Sequence, residues 1–168
     1  MGVTNVWNGM IQLALVRFPC ILSEVVYMAR ISFSTVEESA FGQLLGHNPE
    51  ILKAWRELER TVYSAGSLGP ELKEQVRSAL AFGNGCVYCQ AFGTRPTGVY
   101  PDPKISLAVA FADLFIRDHL AMDDSTFAVL KEEFTDAQIS ELVAFVCFVS
   151  AGQRLGATLK LEAELARV

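Results

Sequence analysis

Apolar positions in this chain recur at three- and four-residue intervals, and each run is bounded by helix start and stop residues. Asn48-Pro49-Glu50 supplies a cap, a proline at the first helical position and an acid in the first turn. Ile51, Trp55, Leu58 and Val62 follow on one face, and Gly66 ends the run. Gly69-Pro70-Glu71 restarts a helix that carries Leu72, Val76 and Leu80 as far as Gly83. Asn84-Gly85 then breaks the register, and a new helix is expected from about Cys86. Residues 93–104 read as a loop rich in proline and glycine. Beyond it, Ile105 to Arg117 is helical and apolar nearly all round, with Val109, Ala112 and Ile116 at helical spacing. Asp124-Ser125-Thr126 caps a short helix. Thr135 and Gln138 form a capping box for a helix bearing Ile139, Leu142, Val143, Val146 and Val149. The segment from about Val3 to Arg30 also reads as helical, with Pro19 as a kink or break. No alternating strand pattern appears, so the expected class is all-α, a compact bundle of six to eight helices in one domain over residues 1–168.

Composition narrows the functional classes. A chain of 168 residues buries roughly 70% of its unfolded surface as one core, so folding requires neither a disulfide staple nor a structural metal. Hydrophobic residues make up 51% and charged ones 20%, an apolar excess that predicts a homo-oligomer. A net charge of −5 with scattered Lys and Arg speaks against a nucleic-acid partner. Arg17, Glu24, Asp113 and Arg117 interrupt the apolar stretches, so no membrane span is expected. The N-terminus lacks the basic start of a secretory signal, and a cytoplasmic location is expected. In that compartment a permanent structural disulfide is unusual.

The candidate chemistry is Cys86-Val87-Tyr88-Cys89. On a helix, positions i and i+3 lie about 5 Å apart between α-carbons, inside the disulfide window. The pair can therefore cycle between dithiol and disulfide with little backbone movement. A helix start favours an anion, which marks Cys86 as the attacking candidate and Cys89, deeper and less exposed, as the resolving one. Lowering a thiol pKa from ~8.5 to ~7 raises its thiolate fraction at neutral pH from about 3% to about half. The alternatives are a zinc half-site or simple packing. Zinc needs four ligands, and Cys20, Cys147, His47 and His119 are isolated in the sequence. Cys20 and Cys147 read as packing residues. Glu74 lies one helix before the pair and can accept a thiol proton or hold a relay water, or it is a solvated residue beside Glu71 and Lys73. Tyr88 either donates a hydrogen bond to a leaving oxygen or packs.

Glu74, eleven intervening residues and then CVYC resembles the signature of the AhpD-type alkylhydroperoxidases, in the carboxymuconolactone decarboxylase superfamily. The similarity extends over residues 44–86 and 106–156 and covers about residues 40–160; the first 36 or so match less clearly. The resemblance implies an AhpD-like helical subunit that assembles into dimers, trimers or hexamers and uses no metal or organic cofactor. It further implies that Cys86 and Cys89 are the redox dithiol and Glu74 the relay acid. The family usually has a histidine four residues after the second cysteine; Gly93 stands there. The position that is histidine in some peroxidases is Tyr88.

The expected function is that of a thiol-dependent antioxidant oxidoreductase of peroxiredoxin-like activity. Its partners would be a hydroperoxide or a partner disulfide, with an external dithiol or thioredoxin-like protein as reductant. Two alternatives stand beside it. One is a relative that binds or transforms a small lactone or carboxylic acid in space opened by Gly93. The other is a redox-sensing scaffold that oxidises without turnover.

Overall fold

The structure, a computed structural model, describes residues 29–167. The helix expected before Arg30 falls almost wholly outside them, as does Cys20. Among the described residues there are seven α-helices and no strand: α1 Ala40–Leu45, α2 Pro49–Ser64, α3 Pro70–Gly83, α4 Val87–Gln90, α5 Pro103–Asp118, α6 Asp124–Glu133 and α7 Asp136–Thr158. Short 3-10 turns lie at His119–Ala121 and Ala163–Arg167.

The caps predicted at Asn48 and Thr135 hold. Asn48 accepts from the Ile51 N–H at 3.2 Å, and Thr135 and Gln138 form the reciprocal capping box. Two starts are shifted. Helix α5 opens at Pro103 rather than Ile105, because Asp102 caps it by accepting from the Lys104 N–H at 2.8 Å. Asp102-Pro103 thus repeats the Asn48-Pro49 arrangement inside what read as loop. Helix α6 is capped by Asp123, one residue earlier than expected, through the N–H groups of Ser125 and Thr126.

Helix α3 packs chiefly against α5 and α7, and these three form the main core. Val76, Leu80, Ala108, Ala112, Leu142, Phe145 and Val146 are fully enclosed there. On α2 the buried stripe is not the expected one. Leu52 is enclosed while Ile51 and Leu58 are 52% and 51% exposed, because α2 turns Trp55, Arg56 and Glu59 toward the rest of the bundle.

Lys73 locks α2, α3 and α7 together. It is 3% exposed, and its ammonium donates to the carbonyls of Val62 and Ala65, both at 2.9 Å, at the C-terminal end of α2. It also pairs with Glu141 of α7 at 2.9 Å. Glu141 in turn accepts from the Ser67 N–H at 2.7 Å. The buried cation thus terminates one helix and holds it against two others.

By length and composition α7 is able to cross a bilayer, which the sequence reading did not anticipate, but half of its most apolar 18-residue window is buried inside the fold. It serves as the core helix. A second, smaller apolar cluster sits where the end of α7 meets α1 and α4, with Ala40, Leu44, Cys86, Tyr88 and Leu161 at its centre. There α7 ends in a Schellman turn: Leu161 N–H returns to Gly156 O at 2.9 Å and Lys160 N–H to Ala157 O at 3.1 Å. Lys160 takes the left-handed conformation, φ 59°, that this turn demands.

Candidate functional site

The cysteine segment is placed by the end of α3. Gly85, φ 66°, turns the chain after Asn84, and the Cys86 N–H returns to Ala81 O at 3.1 Å. Asn84 pins this bend to α7: its amide donates to Gln153 Oε1 at 3.0 Å and to Ser150 Oγ at 3.3 Å, and its oxygen accepts from Arg154 Nε at 3.0 Å. Gln153, itself buried, donates to the Arg77 carbonyl at 2.9 Å.

Helix α4 is one turn long, and Cys86 is its cap, with Sγ accepting from the Cys89 N–H at 3.2 Å. The helix start expected at the dithiol is therefore present. Its dipole is not that of a full helix, so the anion-favouring contribution reduces to local N–H groups.

Cys86 and Cys89 are joined as a disulfide, their α-carbons 5.2 Å apart. The expected order of exposure is reversed. Cys86 is 0% exposed, whereas Cys89 is partly open and forms part of a cavity wall. The cause lies in α7. A Cβ at Gly156 would stand 3.0 Å from Cys86 Sγ and 3.8 Å from Cys89 Sγ, so the bare helix backbone is the plate against which both sulfurs rest. Leu161, brought back by the Schellman turn, closes the same side.

The cavity beside Cys89 holds about 320 Å³. Its walls are largely aromatic: Phe41 and Trp55 on one side, Phe148 of α7 below, and Tyr88 and Phe92 at the dithiol. Trp55 packs tilted against Phe148 with ring centroids 4.9 Å apart, and a Cβ at Gly152 would stand 3.2 Å from the indole. Arg56, on the wall, is saturated by Glu37 at 2.6 Å and Glu59 at 2.6 Å. Burial pushes the Tyr63 hydroxyl up to about 12, so it stays protonated at neutral pH.

Glu74 does not line the cavity and makes no hydrogen bond to a sulfur among the described residues. Both of its oxygens are held by Arg77, at 2.7 and 2.6 Å. Arg77 does line the cavity, and its Nη1 donates to the Cys89 carbonyl at 3.0 Å. The space that Gly93 was expected to open is occupied. A Cβ there would collide with Arg77 Nη2 and lie 2.8 Å from Glu74 Oε1. Glu74 thus reaches the dithiol through an arginine.

Tyr88 is enclosed, edge-on to Phe92 at 5.1 Å. Burial raises its hydroxyl pKa, and a hydrogen bond with the Phe41 backbone acts in the opposite sense. Cys147 was expected to pack but is exposed on the outer face of α7. His47 bonds to the Ser32 carbonyl at 2.6 Å, His119 packs against Phe115 at 5.9 Å, and neither borders the cavity. Among the described residues no three His, Cys, Asp or Glu side chains gather to hold a metal ion.

Sequence reasoning brought Cys86, Cys89 and Tyr88 to one place but missed Arg77, Gly156 and Gln153. Two signals were available: Glu74 and Arg77 stand at the i,i+3 spacing of an ion pair, and Gly152-x-x-x-Gly156 is a small-residue stripe on the core helix.

No family model matches the sequence, and no curated protein does. Among solved structures, an uncharacterized peroxidase-related protein from Silicibacter sp. TM1040 superposes with a TM-score of 0.68 at 17% identity, over 74% of this chain and 77% of that one. At that identity the likeness is one of fold. The all-helical bundle that the residues led us to expect is the architecture found, and its fold is shared with that peroxidase-related protein.

Proposed function

We propose that the protein is a dithiol oxidoreductase that reduces an organic hydroperoxide or a partner disulfide. The observation that carries the reading is a closed Cys86–Cys89 pair with one sulfur buried and the other on the wall of an aromatic cavity. In the reduced form the Cys89 thiolate attacks the outer peroxide oxygen. The S–O bond forms, the O–O bond breaks, and the alkoxide takes a proton to leave as alcohol, giving a sulfenic acid at Cys89. The Cys86 thiol then attacks that sulfur, water leaves, and the disulfide closes. An external dithiol returns the pair to the reduced state through a mixed disulfide at the accessible Cys89. This reverses the roles first expected for the two cysteines, and their exposures are the reason.

A cavity of about 320 Å³ is large for hydrogen peroxide and suits a bulky apolar hydroperoxide. The test is turnover with hydrogen peroxide and with cumene hydroperoxide in the presence of dithiothreitol. Cys89→Ser should abolish turnover and sulfenate formation. Cys86→Ser should form no intramolecular disulfide and, treated with peroxide in the absence of dithiothreitol, should leave a sulfenate at Cys89 that dimedone traps and mass spectrometry locates. A wild-type protein that forms no Cys86–Cys89 disulfide with stoichiometric peroxide overturns the reading.

A further inference from the structure

We propose that Arg77 is the positioning residue of the dithiol: a permanent cation, anchored by Glu74, that favours the thiolate form of Cys89. The inference rests on the dithiol reading and deepens it. Three observations converge on this side chain. Its Nη1 is bound to the Cys89 carbonyl at 3.0 Å, which fixes the guanidinium within one residue's breadth of the sulfur. It borders the same cavity as Cys89. It fills the space over Gly93, where any larger residue would displace it.

The Glu74–Arg77 pair is lopsided. The arginine side chain is 12% exposed and the glutamate 48%, so water screens the anion far more than the cation. The field that remains at the dithiol is positive. One other charged cluster borders the cavity. Arg56 lies between Glu37, in the segment before α1, and Glu59 on α2. That cluster carries a net negative charge and acts in the opposite sense, but its charges bond to one another, whereas Arg77 bonds to the Cys89 residue itself. Tyr63 and Tyr88 are neutral phenols. Helix α7 presents only the uncharged Gln153, whose hydrogen bond to the Arg77 backbone helps hold α3 in place.

Two consequences follow. Arginine does not deprotonate in proteins, so it moves no proton. The proton released when Cys89 ionises therefore passes to solvent along the open side of the cavity. Glu74 is an anchor for the guanidinium rather than an acid or base in the reaction.

The experiment measures the ionisation of Cys89 directly. Reduced Cys86→Ser protein, in which Cys89 is the only thiol of the pair, is alkylated with iodoacetamide across pH 5–10, and the modification of Cys89 is followed by mass spectrometry. In that background Arg77→Met should raise the apparent pKa by about one unit and slow alkylation at neutral pH about tenfold. Arg77→Lys keeps the charge and loses the fork, so its profile should fall between the two. Gly93→Ala, which leaves Arg77 in the sequence but pushes its guanidinium aside, should shift the profile in the same direction as Arg77→Met. Circular dichroism and urea unfolding establish that each variant is folded. If Arg77→Met fails to fold, Arg77→Lys and Gly93→Ala still decide the matter. An alkylation profile unmoved by displacing or removing the guanidinium overturns the inference. Because this readout uses no peroxide, it stands or falls separately from turnover.

Discussion

Lys73 offers the most quantitative test of how the bundle is held. Lys73→Met keeps the length and apolar stem of the side chain and removes the ammonium. It leaves the Val62 and Ala65 carbonyls, each now bonded at 2.9 Å, without their donor, and strips Glu141 of its partner at 2.9 Å. Removing one side of a buried pair costs ~3–5 kcal/mol. Glu141 retains the Ser67 and Leu68 N–H groups and its side chain is 17% exposed, which places its share near the lower limit. The orphaned carbonyls contribute about 1 kcal/mol each, and methionine packing returns part of that. The expected loss is about 4 kcal/mol, a large fraction of a domain's ordinary 5–15 kcal/mol. With a slope of ~2 kcal/mol/M, the urea midpoint should fall by about 2 M. Glu141→Gln should cost less, since the amide oxygen still accepts from Ser67. The double variant should cost less than the sum of the two, because no uncompensated charge remains. A midpoint shift below about 0.5 M for Lys73→Met, or strict additivity, would refute the clamp. The clamp also bears on the site, since α2 carries Trp55 and Tyr63 while α3 carries Arg77.

Other outcomes are expected. Burial pushes the Glu141 carboxyl up, but hydrogen bonds from Lys73, Ser67 and Leu68 outweigh it and leave its pKa below the ordinary 4.5. A depressed folded-state pKa stabilises above the unfolded value, so urea midpoints measured between pH 6 and 3 should fall on acidification, and less steeply in Glu141→Gln. Lys160→Gly should stabilise by about 0.5–1 kcal/mol, because glycine adopts φ 59° without the steric cost of a Cβ; a lower melting temperature would contradict this. Gly156→Val should destabilise by about 2–3 kcal/mol, since its first side-chain carbon already stands 3.0 Å from Cys86 Sγ; wild-type stability would show that the sulfurs do not rest on α7.

Helix boundaries were legible because their chemistry is local. Asn48-Pro49, Gly69-Pro70 and the Thr135–Gln138 box act on backbone groups within four residues, and all three stand where expected. Orientation was less legible. Ile51 and Leu58 satisfy the helical period, yet the buried side of α2 is set by what α7 offers it, namely Phe148 and the bare Gly152. At the site, the i,i+3 cysteines announced the disulfide, but not which sulfur would be open. That depends on Gly156 and Leu161, about seventy residues away in the chain. Gly93 was misleading for a similar reason: a missing side chain reads as empty space until a neighbouring arginine is seen to fill it.

The burial of Cys86 gives the oxidised bridge a front and a back. If the pair cycles as proposed, a reductant meets it from the Cys89 side, past the aromatic walls of the cavity. Small dithiols and the narrow exposed cysteine of a carrier protein satisfy that shape, whereas a thiol seated on a broad flat face does not. On the proposed dithiol reading, selectivity toward electron donors would rest on steric access at a single sulfur.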